Sequence, residues 1–267
     1  MLKPLFDKHA IESISLLCEF DGEIEKAGLD LIRDESKAFQ RKLPYRRIKR
    51  KGNAAPQSHE TSHSPEPIGY MFLQKDRKER DIEWFEVSGD KAIFSSKSYL
   101  SFESFLADCS VYMDTAFQAF FKTGIRPKRL VLRYRDIFSS EHINWEPYEN
   151  LRADSRFLPH ACIRKGDFWH IEAGFFGTEH DAINLSNYRV EHRIELHEDD
   201  EDREPEFFLQ LTLLHMTELA EPSANPTFES IKDSVEFLRQ QNRKLLHGIL
   251  TEELASSIGL PTLDKEG

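Results

Sequence analysis

The most unusual local composition in this chain is a basic segment that runs from Arg41 to Lys51. The segment contains seven cations and one tyrosine that could contact a partner: Arg41, Lys42, Tyr45, Arg46, Arg47, Lys49, Arg50 and Lys51. Cations at this density can contact phosphates while the tyrosine stacks on a base, or they can bind an acidic protein. The alternative is an edge β-strand, where exposed cations keep two sheets from pairing edge to edge. The segment is therefore a candidate binding site with a purely structural alternative.

A second candidate is a pair of arginines, Arg133 and Arg135, in the run RLVLRYRDIF at residues 129–138. Residues two apart on a strand project from the same face, so both guanidinium groups lie opposite Tyr134. Arginines that project from a central strand can line an anion-binding concavity. They can equally pair with carboxylates of neighbouring strands, and we favour that arrangement.

Two segments contain residue types that can bind a metal ion. His59 and His63 are four residues apart, but the surrounding HETSHSPEP does not favour the helix that this spacing requires. The acidic run at 199–202 lacks the glycine and the spacing of a calcium-binding loop, and it suits a solvated hairpin tip. We therefore predict no metal ion and no other cofactor.

The sequence offers no catalytic motif. His170 and Glu172 share one face of a predicted strand, and His192 and Glu195 do so only approximately. General acid–base catalysis also needs a substrate atom beside such a pair, which spacing cannot show. The sequence contains no nucleophile-elbow, zinc-protease, kinase or phosphate-loop pattern. We predict no catalytic residues and favour a protein that is not an enzyme.

Composition restricts the class of protein further. The 267 residues are 39% hydrophobic, with twenty phenylalanines, and 31% charged, which predicts a real core and a soluble surface. The net charge of −11 disfavours non-specific binding to nucleic acid or anionic membrane. Cys18, Cys109 and Cys162 lie in apolar runs and form no CxxC pair, which predicts buried thiols in a reducing compartment. Without a signal-peptide pattern or a spanning apolar run, we expect a cytoplasmic protein that has no membrane partner.

Two helices dominate the predicted elements. From Phe102 to Lys122, apolar residues recur at helical spacing and define one face: Phe102, Phe105, Leu106, Cys109, Tyr112, Met113, Ala116, Phe117 and Phe120. Pro127 ends this segment. The last helix has a similar stripe, formed by Phe228, Ile231, Val235, Leu238, Leu245, Ile249 and Leu250. Asn225 and Pro226 are predicted to open it, and Gly259 to end it.

The remaining elements indicate the fold class. The predicted strands are Ala10–Phe20, Ile68–Leu73, Ile82–Val87, Ala92–Phe94, Arg129–Phe138, Ala161–Arg164, Phe168–Phe176, Ile183–Leu196 and Phe207–Thr217. Ile24–Phe39 is a predicted helix, whereas Gly52–Pro67 and Ser139–Leu158 are predicted loops. This order favours an α+β fold, with antiparallel sheet and long helices packed on one face. We predict a single domain over 1–267 and leave open two similar strand-then-helix halves, 1–138 and 160–259, joined by a loop.

Three short motifs resemble those of a sporadically distributed prokaryotic family of uncharacterised proteins of about this length. The family has a strand of the form GLRYINRI after a helix, and residues 131–137 occupy that place, with Val131 for the glycine and Asp136 for the asparagine. In the family's Tyr-x-x-Trp entry to that helix, Tyr99 matches and Phe102 replaces the tryptophan. The third motif is a Leu-His pair followed by Thr and an acid, here at 246–247 and 251–252.

The resemblance extends from about Leu5 to Gly259. It implies a shared fold and a cytoplasmic, bacterial or archaeal origin, but no reaction and no catalytic residues. The family's patchy distribution suggests genes that travel with defence or toxin–antitoxin modules.

Our leading hypothesis is therefore a non-enzymatic cytoplasmic binding protein. It would be an accessory or neutralising partner, antitoxin- or immunity-like, that engages a toxin or effector protein. The alternative is a nucleic-acid- or nucleotide-binding enzyme or sensor that uses residues 41–51 and the face of Arg133 and Arg135.

Overall fold

The computed structural model describes residues 2–6, 9–50, 66–140, 149–159, 169–179, 182–195, 206–219 and 227–260. The strands within these ranges are β1 (Lys3–Pro4), β2 (Ile11–Phe20), β3 (Tyr45–Arg50), β4 (Pro67–Lys75), β5 (Asp81–Ser88), β6 (Lys91–Ser96), β7 (Pro127–Ser140), β8 (Trp169–Glu179), β9 (Ala182–Glu195) and β10 (Glu206–Glu218). The helices are α1 (Lys26–Phe39), α2 (Phe102–Phe121), α3 (Phe228–Ile249) and α4 (Glu252–Ser257).

The described strands form one sheet in the order β3-β4-β5-β6-β2-β7-β10-β9-β8, and β1 pairs with β7. The pairs β3–β4, β4–β5, β5–β6, β9–β10 and β8–β9 are antiparallel. The predicted α+β class is thus confirmed, although the sheet dominates the fold and the helices are the minor part. The register places Phe72 opposite Phe85, and Phe85 opposite Phe94, which builds an aromatic row across three strands.

Most predicted elements appear with bounds shifted by a few residues, but the last helix differs. The prediction ended it at Gly259, whereas α3 ends at Ile249 and a separate short helix, α4, follows. The Thr251 hydroxyl accepts from the backbone N–H of Leu254 at 3.4 Å and caps α4, while the Thr251 N–H donates to the Asn150 carbonyl. The predicted strand Ala161–Arg164, the residue pair Asn225 and Pro226, and nearly all of the loop Gly52–Pro67 lie outside the described residues.

The chain forms two compact units, each assembled from separate stretches. Unit 1 comprises residues 1–14, 131–217 and 235–267, and unit 2 comprises residues 15–130 and 218–234. The division into halves 1–138 and 160–259 stays a prediction. Each unit has its own hydrophobic interior.

Unit 2 is built around aromatic rings. Ser101 caps helix α2, since its hydroxyl accepts from the Ser104 N–H at 3.1 Å, and the predicted apolar face is buried except for Leu106, which is half-buried. The Phe39, Phe85 and Phe94 rings surround Tyr112, with centroid distances of 4.9 to 5.5 Å. The Phe20 ring stacks on Phe120 at 3.7 Å. Cys18 and Cys109 are buried free thiols, as predicted, and burial raises the pKa of both.

Unit 1 buries many polar side chains beside its apolar ones. They are Asp136, Ser140, Asn150, Ser155, Asn184, Ser186, His192, Gln210, His215, Thr217 and Asn242. In unit 2 the buried polar side chains among the described residues are Ser36, Glu83, Ser95 and Ser96. A buried polar group destabilises the fold unless it is hydrogen-bonded, so the interior of unit 1 requires specific partners.

Candidate functional site

The basic segment lies at one end of the described strand order. Arg41 and Lys42 lie between α1 and β3, and the other described cations of the segment lie on β3, whose antiparallel partner is β4. Lys51 lies outside the described residues. The segment therefore forms an edge strand in this part of the chain, which is the arrangement of the structural alternative. Its role in binding stays a prediction.

Three cations of the segment have carboxylate partners within unit 2. The Arg47 guanidinium donates to both carboxylate oxygens of Asp81, at 2.7 and 3.1 Å. Lys42 pairs with Asp108 at 2.5 Å, and Lys49 pairs with Glu86. These pairs are half exposed, so each contributes at most about 1 kcal/mol to stability. The pairs of Arg47 and Lys49 reduce the positive charge that β3 presents to a phosphate.

The edge also exposes apolar and aromatic surface. Tyr45 is 48% exposed, Ile48 42% and Ile68, on the adjoining strand, 42%. The Arg46 guanidinium lies 6.0 Å from the ring centroid of Tyr70, and the Lys75 ammonium lies 5.4 Å from that of Tyr45. The basic edge, which we define as Tyr45–Arg50 with Ile68, thus combines cations with exposed apolar side chains.

Arg135 forms the cross-strand pairs that we favoured. Its Nε lies 3.0 Å from Glu12 Oε2 on β2, and its Nη2 donates to Gln210 Oε1 on β10 at 2.7 Å. Arg133, on the same face, is exposed. The Arg135 guanidinium is thus engaged on both sides, and a role of Arg133 and Arg135 in binding stays a prediction.

The two histidines of the predicted acid–base pairs differ in burial, and the strand register places His170 opposite Glu191. His170 is exposed, whereas His192 is buried between the rings of Trp169 and Phe207. His59, His63 and the acids Asp199, Asp200, Glu201 and Asp202 lie outside the described residues. Within the described ranges, no group of three or more His, Cys, Asp or Glu side chains could hold a metal ion.

Sequence reasoning missed a buried hydrogen-bonded trio in unit 1. Ser186 Oγ lies 2.9 Å from His215 Nδ1, and His215 Nε2 lies 3.3 Å from Asn242 Oδ1. With Nε2–H donating to the amide oxygen, Nδ1 is free to accept from the serine hydroxyl. Burial lowers the pKa of His215 to about 4, so the ring is neutral at pH 7. The three residues are far apart in the sequence, and no spacing pattern could have connected them.

This trio has the residue types of a nucleophilic triad, but its surroundings are those of a structural core. All three side chains are buried, and the adjoining cavity is only about 60 Å³, enough for little more than two water molecules. The trio links β9, β10 and α3 through side-chain hydrogen bonds. We therefore assign it a structural role.

Asp136 is a second buried polar group of unit 1 that the sequence did not single out for its chemistry. It is 1% exposed, and its Oδ2 has no hydrogen-bond partner among the described residues. Burial raises the pKa of its carboxyl to about 7.

Unit 1 also contains a cavity of about 600 Å³, which we call the α3–α4 cavity. It lies among the segment 152–157, the end of α3 and the helix α4. Its charged and aromatic lining consists of Arg152, Asp154, Arg156, Phe157, Lys244, His247 and Glu252. Its volume falls within the usual range for small-molecule sites.

No family model and no curated protein matches this chain. Among the helices of the described residues, none is both long enough and apolar enough to cross a membrane.

Proposed function

We propose that this protein is a non-enzymatic cytoplasmic binding protein that docks an acidic segment of another protein on its basic edge. In this proposal it is an accessory or neutralising partner, antitoxin- or immunity-like, of a toxin or effector in a mobile defence or toxin–antitoxin module. It belongs to the sporadic prokaryotic family that its motifs resemble. We also propose that the long helices pack on one face of the sheet and that the chain consists of two strand-then-helix halves.

The observation that carries the proposal is the combination of features on β3. An edge strand presents backbone N–H and C=O groups that an extended segment can pair with. Beside them lie the cation Arg46, whose guanidinium is near the Tyr70 ring, and the exposed side chains of Tyr45 and Ile48. On a protein of net charge −11, this local positive charge favours an acidic partner that also offers apolar side chains.

The alternative, a protein that binds nucleic acid, is favoured by the exposed Tyr45 among the cations, which could stack on a base. Two observations weigh against it. Arg47, Lys49 and Lys42 already have carboxylate partners, so fewer cations are free to replace the counterions of phosphates. The overall negative charge also opposes the long-range capture of a polyanion.

The test is a neutralised basic edge, in which Arg46, Arg47, Lys49 and Arg50 are all changed to Gln. The control variant changes four exposed cations elsewhere in unit 2 to Gln: Arg77, Lys78, Lys97 and Lys122. Both variants lose four positive charges and should melt close to the parent, because exposed ion pairs contribute little. Each is co-expressed with the products of the neighbouring genes, and complexes are isolated and measured by calorimetry.

We expect one neighbouring gene product to bind the parent and the control variant, and to be lost or weakened at least tenfold in the edge variant. Equal affinity for both variants would contradict the proposal. A shift of DNA or RNA at physiological salt, at micromolar concentration or below and lost only in the edge variant, would replace it with the alternative.

A further inference from the structure

The α3–α4 cavity has a rigid floor that backbone contacts build. Leu151 and Leu250 form an isolated β-bridge, and the Arg152 N–H donates to the Ile249 carbonyl at 2.9 Å. The Ser155 hydroxyl donates to the Gly248 carbonyl at 2.5 Å. These bonds hold the segment 150–155 against the end of α3 and satisfy two of the helix's terminal carbonyls.

Gly248 lets an aromatic ring form part of this floor. A Cβ at this position would lie 2.4 Å from Cε2 of Phe157, which is far below van der Waals contact. Only glycine therefore allows the Phe157 ring to pack directly on the backbone of α3. The ring is fixed further by an edge contact with Tyr188, at 5.8 Å between centroids.

The charges around the cavity are not balanced internally. Arg152 is engaged by Asp154, with hydrogen bonds of 3.0 and 2.8 Å to its two carboxylate oxygens. Arg156 and Lys244 are exposed, and neither has a carboxylate partner in the part of the chain that the structure describes. The Arg156 guanidinium lies 4.8 Å from the ring centroid of Phe157. The lining thus contains three Arg and Lys side chains against two carboxylates, those of Asp154 and Glu252, and within the described residues Arg156 and Lys244 are the two cations that no carboxylate engages directly.

We propose that the α3–α4 cavity binds a nucleotide-sized organic phosphate, whose phosphate group contacts Arg156 and Lys244 and whose ring or apolar part packs near Phe157. An arginine can bind a phosphate through two parallel hydrogen bonds, and a lysine adds a mobile point charge. A cavity of about 600 Å³ admits a nucleotide but excludes a folded partner. This site lies in unit 1 and goes beyond the proposed docking of a protein on the basic edge.

The experiment is titration calorimetry of the full chain with AMP, ADP, ATP and GDP, and separately with adenosine and inorganic pyrophosphate. Binding is compared among the parent, Arg156→Gln, Lys244→Gln and the control Lys232→Gln, which removes an exposed cation from the same helix. We expect at least one nucleotide to bind the parent and the control equally, and to lose about tenfold or more in affinity in each test variant. Adenosine should bind far more weakly, because it lacks the phosphate.

Three results would overturn the inference: no nucleotide binding at millimolar concentration, equal binding by the test variants and the parent, or adenosine binding as tightly as its phosphates. Pyrophosphate binding as tightly as the nucleotides would reassign the site to a free inorganic anion. The neutralised basic edge variant provides a further control. It should keep its nucleotide affinity even if the protein partner is lost, so the two proposals can fail independently.

Discussion

Unit 2 buries aromatic rings where unit 1 buries imidazole, amide, hydroxyl and carboxyl groups. In unit 2 the rings of Phe39, Phe85, Phe94 and Tyr112 contact one another, and such packing depends on shape and not on protonation. In unit 1 the Ser186–His215–Asn242 trio and the carboxyl of Asp136 are in the interior. Packing defects should therefore control the stability of unit 2, whereas pH should also control that of unit 1.

Among the described residues of unit 2, one carboxyl is buried, that of Glu83. Burial raises the pKa of its carboxyl, but the Ser96 hydroxyl donates to it at 3.1 Å, and the positive charge of Lys42 opposes the shift. In Asp136 the Oδ2 atom has no hydrogen-bond partner among the described residues, and burial raises the pKa of the carboxyl. The two carboxyls therefore show how partners decide the cost of burying an acid.

The largest effect is expected in the aromatic interior. Phe117→Ala removes a fully buried ring that contacts Phe20 edge to face at 5.8 Å, and it should lower the free energy of unfolding by about 3–5 kcal/mol. The loss should be the same at pH 5 and pH 8, because no titratable group is removed. Urea denaturation followed by circular dichroism measures it. Val111→Ala, on the exposed side of the same helix, is the matched control and should change little. A parent-like midpoint for Phe117→Ala would show that the ring is not part of a packed core.

The next effect concerns Asp136 and depends on pH. Its folded-state pKa of about 7 lies above the ordinary value of 3.8, so the folded state holds the proton more tightly than the unfolded state. Stability from this group is therefore present below about pH 4 and is lost as the pH rises to about 7, by up to roughly 4 kcal/mol. Asp136→Asn should remove that loss, so its stability relative to the parent should be greater at pH 8 than at pH 5. A constant difference between the variant and the parent at both pH values would show that Asp136 is ionised in the fold at both.

The smallest effect concerns His215 and is best measured in the Asp136→Asn background. Its folded-state pKa of about 4 lies below the ordinary 6.5, so its contribution to stability falls as the pH drops from about 6.5 to about 4. In the parent, the contribution of Asp136 to stability falls as the pH rises over the same range, whereas that of His215 increases. The two pH dependences therefore cancel. In Asp136→Asn the free energy of unfolding should therefore increase by up to roughly 3 kcal/mol from pH 4 to pH 6.5, whereas in the parent it should stay nearly constant. Adding His215→Gln should remove this gain, and a gain that survives the second substitution would assign it to another group.

Most of the local elements, and the face that α2 buries, could be predicted from the sequence. The apolar spacing from Phe102 to Phe120 placed α2 and its buried side. It also indicated buried thiols at Cys18 and Cys109. These properties follow from side chains a few residues apart, whose positions on a helix or strand are set by a fixed geometric period. The high density of cations on β3 could likewise be recognised from the sequence.

Only the tertiary structure decided which distant side chains meet. Ser186 and His215 are 29 residues apart, and His215 and Asn242 are 27 apart, so their contact depends on strand register and on the docking of α3. The ion pairs of Arg47 with Asp81 and of Arg135 with Glu12 depend in the same way on how strands pair. The high pKa of Asp136 results from burial, which no local pattern of an otherwise ordinary strand could reveal. Sequence spacing defines which face a residue occupies, but the register between strands defines what that face meets.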